Sequence, residues 1–306
     1  MTLPVHIDDS PRPRLRAAVI AFALVIAVIG ALVTIDTFRA GRSEHRLAEA
    51  LMASPRVDFE PEVTLGGFPY WSHARRGEFP GLTITARGVA AAGPAELAGV
   101  PQTCASTPCR AELGVRADEV KGMDTGRWSA TRPIMLTAVT ASAKLDSVNL
   151  GRMLDITDLA VNTPAPANRA GGGGPGDGLL ERTTGVLLTG TVSLPPSRPS
   201  PRTQVRYPPS SQRFTGQRVR VSVLVDLAVD GNDLVITATD FYGGPEEHAD
   251  GRVPAQFRAA VLARFSGRVP YPRLPWGVSP TKANSAGSDI LISGTAPYLT
   301  VAPDRF

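Results

Sequence analysis

The sequence predicts an α+β chain, mainly antiparallel β, preceded by one transmembrane helix. Three observations lead there. A long uncharged apolar run stands near the N-terminus, segments with period-two alternation dominate the remainder, and glycine and proline are abundant. The 30 glycines and 28 prolines among 306 residues make about a fifth of the chain, against about an eighth in an average protein. Both residues weaken helix interiors, which argues against an all-helical bundle and for short strands joined by turns. A chain that is 42% hydrophobic and 20% charged can bury a core and is not globally disordered. Two cysteines and four scattered histidines exclude a disulfide-dense miniprotein and a cysteine-built zinc finger. The net charge of +4 is modest for this length and points to no nucleic-acid partner.

The first element is the apolar run AAVIAFALVIAVIGALVTI, from Ala17 to Ile35. At about 1.5 Å per residue it spans about 28 Å, close to the ~30 Å hydrocarbon core of a bilayer. Arg12, Arg14 and Arg16 precede it, and Asp36, Arg39 and Arg42 follow. The denser basic cluster on the N-terminal side places residues 1–14 in the cytoplasm, with 15–36 as an uncleaved signal anchor. A cleaved signal peptide is the rival, but its apolar region is shorter and ends at a small-x-small site, which is not evident here. Residues 37–56 then read as a juxtamembrane helix and linker. Leu47, Leu51 and Met52 share one face of SEHRLAEALM, and Pro55 ends it.

Residues 57–306 read as one large β-rich extracytoplasmic domain. Leu82, Ile84 and Ala86 alternate with Thr83, Thr85 and Arg87, and Ala111, Leu113, Val115 and Ala117 alternate with polar partners. From Val219 to Val229 the odd positions are apolar throughout, which makes a long strand with one buried face. Asp230-Gly231-Asn232-Asp233 supplies turn chemistry, and Leu234 to Phe241 returns as the hairpin partner. Ile290, Ile292 and Tyr298 to Val301 add strands near the end. Two helices interrupt, Ser147–Leu154 and Pro254–Phe265. The second carries an apolar stripe of Phe257, Val261, Leu262 and Phe265. Residues 165–178, with GGGGPGDG, and 195–216, rich in proline and serine, read as insertions.

The sequence contains no G-x-S-x-G elbow, H-E-x-x-H pair or Walker loop. Glu246, Glu247, His248 and Asp250 lie in PEEHAD, where cation binding competes with the simpler reading of a solvated loop. No enzyme activity, cofactor or metal is expected. Cys104 and Cys109 bracket CASTPC. An oxidising exterior favours closing this short ring, and a structural staple is the expectation, because the spacing is not that of a C-x-x-C redox pair.

The most distinctive stretch is VTLGGFPYWSHARRGEFPGLTITARGV, from Val63 to Val89. It carries Gly67-Phe68-Pro69-Tyr70, then Gly77 and Phe79, then an alternating strand of Leu82, Ile84 and Ala86 ending at Gly88-Val89. Leu274-Pro275-Trp276-Gly277-Val278 forms a second turn motif before the closing strand at Ile290–Gly294. Together with the membrane segment, these motifs closely resemble the LmeA-like phospholipid-binding family of actinobacterial cell-envelope proteins, over about residues 43–303. The resemblance implies a tubular-lipid-binding-like fold, in which a long curved antiparallel sheet wraps a helix and leaves an apolar groove. It implies a phospholipid or other envelope lipid as ligand, held or transferred in envelope biogenesis without covalent chemistry. An assembly scaffold that docks envelope proteins, and a hydrolase of an envelope lipid or glycan, stand as alternatives.

The candidate lipid contacts are Phe68, Tyr70, Trp71, Phe79, Leu82, Ile84, Phe257, Val261, Phe265 and Trp276. For the aromatic ones, core or turn packing is the plain alternative. Arg75 and Arg76 are either solvated or meet a membrane surface beside the aromatic turn.

Overall fold

The computed structural model describes residues 13–91, 104, 108–124, 129–156, 158–164, 185–195, 217–243 and 252–306. The tail 1–12, the expected insertion 165–178, most of the second one (196–216) and PEEHAD lie outside the described residues.

The first helix, α1 (Pro13–Leu51), runs unbroken through 39 residues. Its apolar part is exposed from Ala17 to Ile35, and its end is buried at Leu47, Ala48 and Leu51. It is long and apolar enough to cross a membrane. The expected membrane segment and the expected juxtamembrane helix are therefore one rod, with its last turns built into the core.

Strands β1 (Glu62–Leu65), β3 (Leu82–Ala90), β4 (Arg110–Ala117), β6 (Ile134–Asp146), β13 (Asp289–Val301) and β12 (Lys282–Ala286) pair in that order. With β2 (Glu78–Phe79) and β5 (Glu119–Lys121) they complete an eight-stranded sheet. A second sheet of five strands is ordered β11 (Gly267–Pro270), β10 (Asp233–Phe241), β9 (Gln217–Asp230), β8 (Val186–Leu194) and β7 (Ala160–Asn162). All of the paired strands are antiparallel. The architecture is α+β and mainly antiparallel, as the alternation predicts, with the strands divided between two open sheets.

Three shorter helices complete the described fold: α2 (Tyr70–Arg76), α3 (Ser147–Leu154) and α4 (Arg258–Arg264). α3 starts at Asp146, whose carboxylate accepts a hydrogen bond from the Asn149 N–H at 2.6 Å, the expected way to satisfy a free amide in a first turn. It buries Leu150, Met153 and Leu154 and touches β6 in one sheet and β7 and β11 in the other. The helix expected over 254–265 is a 3₁₀ turn at Ala255–Phe257 followed by α4, with Val261 and Phe265 buried.

The apolar side chains gather in two clusters. The one proximal to α1 joins the end of that helix to the inner face of the larger sheet, through Leu47, Leu51, Tyr70, Phe79, Leu82, Ile84, Leu113 and Leu136. The distal one lies under the smaller sheet and contains Leu150, Met153, Val221, Val223, Val261, Phe265, Ile290 and Ile292. Cys104 and Cys109 form the expected disulfide at its edge, Cα to Cα 5.1 Å.

Candidate lipid-binding site

The Gly-Phe-Pro motif folds into a turn that only its glycines permit. A β-carbon on Gly66 would lie 1.9 Å from the Pro80 carbonyl oxygen, far inside any van der Waals contact. The Phe68–Pro69 peptide is cis. α2 begins at Tyr70 and ends at Gly77, whose φ of +67° closes it as a left-handed cap.

Asp36 lies against the start of α2. Its Oδ2 accepts from the Tyr70 N–H at 2.7 Å and its Oδ1 from the Trp71 N–H at 2.9 Å. Asp36 is buried, and these two charge-assisted bonds satisfy it. A second tether runs from the Leu65 N–H to Glu44 Oε1 at 2.8 Å. α1 and the motif are thus fixed to each other at two heights.

Between α1 and α2 lies a cleft of about 690 Å³, lined by Leu32, Ile35, Asp36, Arg39, Arg42, Ser43, Arg46, Tyr70, Trp71, Ala74 and Arg75. Its two ends differ in chemistry. Leu32 and Ile35 belong to the apolar run; Arg39, Arg42, Arg46 and Arg75 bring four guanidinium groups to the other end. Among the described residues no carboxylate pairs with Arg39, Arg42 or Arg75. Instead the Arg75 guanidinium sits 5.1 Å from the Trp71 ring centre and that of Arg42 6.0 Å from Phe38. An apolar wall continuous with a cationic one fits an amphiphile with an anionic head. Guanidinium groups bind phosphate through several parallel N–H donors.

The structure distributes the ten expected lipid contacts among separate surroundings. Tyr70 and Trp71 line the cleft. Phe79 packs beneath Tyr70, ring centres 5.5 Å apart, and shares the proximal core with Leu82 and Ile84. Trp276 borders that core, donating from Nε1 to the Ala302 carbonyl at 3.0 Å and meeting Phe306 edge-on at 5.2 Å. Phe68 stands 70% exposed. Val261 and Phe265 are in the distal core, with Phe257 packed against it. The sequence reading did not single out Leu32, Asp36, Arg39, Arg42 and Arg46 as a site. Asp36 stood in plain view as the first charge after the run, but its partners lie 34 and 35 residues away.

The family model for LmeA-like phospholipid-binding matches residues 36–295. The chain belongs to the LmeA-like phospholipid-binding family. The match begins at Asp36 and ends within β13, so it covers the cleft's α2 wall and all four arginines. No curated protein and no solved structure matches this chain.

Proposed function

We propose that this member of the LmeA-like family is a membrane-anchored phospholipid-binding protein, with α1 as an uncleaved anchor and the two sheets outside the cytoplasm. It holds or transfers a phospholipid in cell-envelope biogenesis and performs no covalent chemistry on it. The observation that carries the reading is the family match over most of the chain; the amphiphilic cleft supports it. In the cleft the phosphate lies among Arg39, Arg42 and Arg75, and the acyl chains run down Leu32 and Ile35 toward the bilayer. Removing apolar surface from water contributes about 25 cal/mol per Å², so the apolar wall holds the tails while the arginines select the head.

The orientation draws on the Cys104–Cys109 disulfide, since such bonds persist in oxidising compartments. Retention of the anchor draws on its fusion to the core. Cleavage just after the apolar run would sever α1 beside Asp36 and release the tether to α2.

One observation favours the scaffold reading. Phe79, Leu82, Ile84, Val261 and Phe265 are fully covered by other side chains, as in a protein that carries no lipid between its sheets. Native mass spectrometry of the protein purified in a mild detergent, with lipid extraction alongside, separates the two. Co-purifying phospholipid at near one per chain is the expected result. A protein that arrives empty, takes nothing from liposomes and crosslinks to a protein partner would sink the lipid reading.

A further inference from the structure

The turn that carries Phe68 and Trp71 is more exposed than a motif of its apolar content warrants. Phe68 is 70% exposed, Trp71 48%, and Phe38 on the neighbouring turn of α1 66%. Arg75 and Arg42 lie over Trp71 and Phe38 respectively. Large rings with guanidinium groups over them suit the boundary between acyl chains and phosphates, where aromatic side chains collect and arginine heads find anionic partners.

The height of this patch is set by α1. Asp36, the residue directly after the apolar run, bonds the backbone of Tyr70 and Trp71. Both residues also share the cleft with Leu32, which stands three residues inside the end of the run, about 4.5 Å at the helical rise. α1 is continuous here and its end is locked into the proximal core. No hinge separates the span from the patch.

We infer that the Phe68–Trp71 turn is an interfacial wedge, which enters the headgroup region of the leaflet on the domain's side and seats the cleft against it. The inference rests on reading α1 as a membrane span and adds a second contact with the same bilayer. Its partner is the lipid surface itself: Phe68 and Trp71 meet the upper acyl chains, while Arg75 and Arg76 meet phosphates. The cleft then opens at the level where a lipid leaves the leaflet.

The test uses the full chain in phospholipid nanodiscs and the tryptophan fluorescence lost in Trp71→Phe, which isolates Trp71 from Trp128 and Trp276. Lipid carrying a nitroxide high on the acyl chain is expected to quench about half or more of that signal. Aqueous iodide is expected to quench it about threefold less than it quenches free tryptophan amide, as for a ring at the membrane interface. Phe68→Asp is expected to reverse both effects while the protein stays in the membrane. Free access of iodide to Trp71 in a protein that resists alkaline extraction overturns the wedge and leaves the anchor standing. Shielding from iodide without nitroxide quenching also overturns it, since another part of the protein then covers the ring. Release of the protein by alkaline extraction removes the span, and the wedge with it.

Discussion

The proximal and distal cores are similar in size and opposite in design. The proximal one is assembled around the last turns of α1, with Leu47 and Leu51 inserted beside Tyr70, Phe79 and the inner face of the larger sheet. It holds Tyr70, the residue after the Gly-Phe-Pro motif, and lies beside the cationic cleft. The distal one is closed by α3, α4 and a disulfide, and arginines beside it are engaged: Arg264 with the Leu154 and Asp155 carbonyls, Arg258 with Asp240, and Arg268 with Asp230 and Asp233. β4, β6 and β13 serve both, with Leu113, Leu136 and Val301 in the first and Ala111, Leu145, Ile290 and Ile292 in the second. On the proposed reading, stability and lipid contact are spatially separable. The half that touches α1 carries the cleft and its arginines, and the other half is packing.

The largest effects test this separation directly. Phe79→Ala and Phe265→Ala each remove a fully buried ring, one from each core, and each is expected to cost about 3–5 kcal/mol of stability. They should part company on lipid. Phe79 supports Tyr70 on the wall of the cleft, so Phe79→Ala should also lower lipid co-purification. Phe265→Ala should leave lipid per folded chain unchanged. Thermal unfolding beside lipid quantitation checks both, and equal lipid loss in the two variants would merge the halves into one functional unit.

Asp36→Ala comes next. It leaves two amides at the start of α2 without their charged acceptor, a loss of about 2–3 kcal/mol for bonds of this type. The cost should be local, with faster proteolysis around residues 66–81 and the distal half unaffected. Asp36→Asn keeps the shape and one acceptor oxygen, and should fall between. Limited proteolysis followed by mass mapping reads the site of opening; cleavage appearing first in the smaller sheet would contradict the tether.

Smaller again is the effect of the arginines, and it falls on affinity alone. Arg39→Gln with Arg75→Gln should weaken binding of phosphate-bearing lipid about tenfold, near 1.4 kcal/mol. Stability should change by less than about 0.5 kcal/mol, as for exposed surface positions. Wild-type binding should weaken with added salt, and the double variant's should do so less steeply. Binding that ignores both salt and the substitutions would move the phosphate site elsewhere.

How much of this was legible in the sequence follows from the physics of each element. β3, β4 and β9 each bury one face, so their alternation was visible. β8 is buried almost throughout and shows no period. β6 hides for a different reason. Ile134 and Leu136 are buried, then Val139, Ala141, Ala143 and Leu145, so the phase slips by one at Ala138. The backbone turns there to φ +51°, and Ala138 and Pro297 drop out of the pairing together while the register with β13 stays the same on both sides. A local twist that turns the buried face over within one strand erases the pattern that a periodicity reading needs. The motifs at Gly67–Tyr70 and Leu274–Val278 were legible because they are local turns. The cleft was not, because it joins α1 near Asp36 to a helix that starts 34 residues on, and its arginines looked like ordinary charges flanking a membrane span.

The joint between the halves gives the finest test. Asp289 begins β13 opposite Asp146, the last residue of β6, at the distal end of the pair of strands that both cores share. Burial raises its carboxyl pKa above the ordinary 3.8, Lys144 opposes this, and Asp146 and Glu112 add to it. The lysine is 3.8 Å away, too far to offset the loss of water. For a carboxyl whose folded pKa is raised, the stabilising contribution is complete below its unfolded value and is lost as pH rises through the folded one. Asp289→Asn should therefore match the wild type in strong acid and gain on it as pH climbs through and beyond the carboxylate range. Melting temperatures across that range read the crossover. Should the wild type instead gain on the variant with rising pH, Lys144 outweighs desolvation, and the joint is held by an ion pair rather than strained by a buried charge.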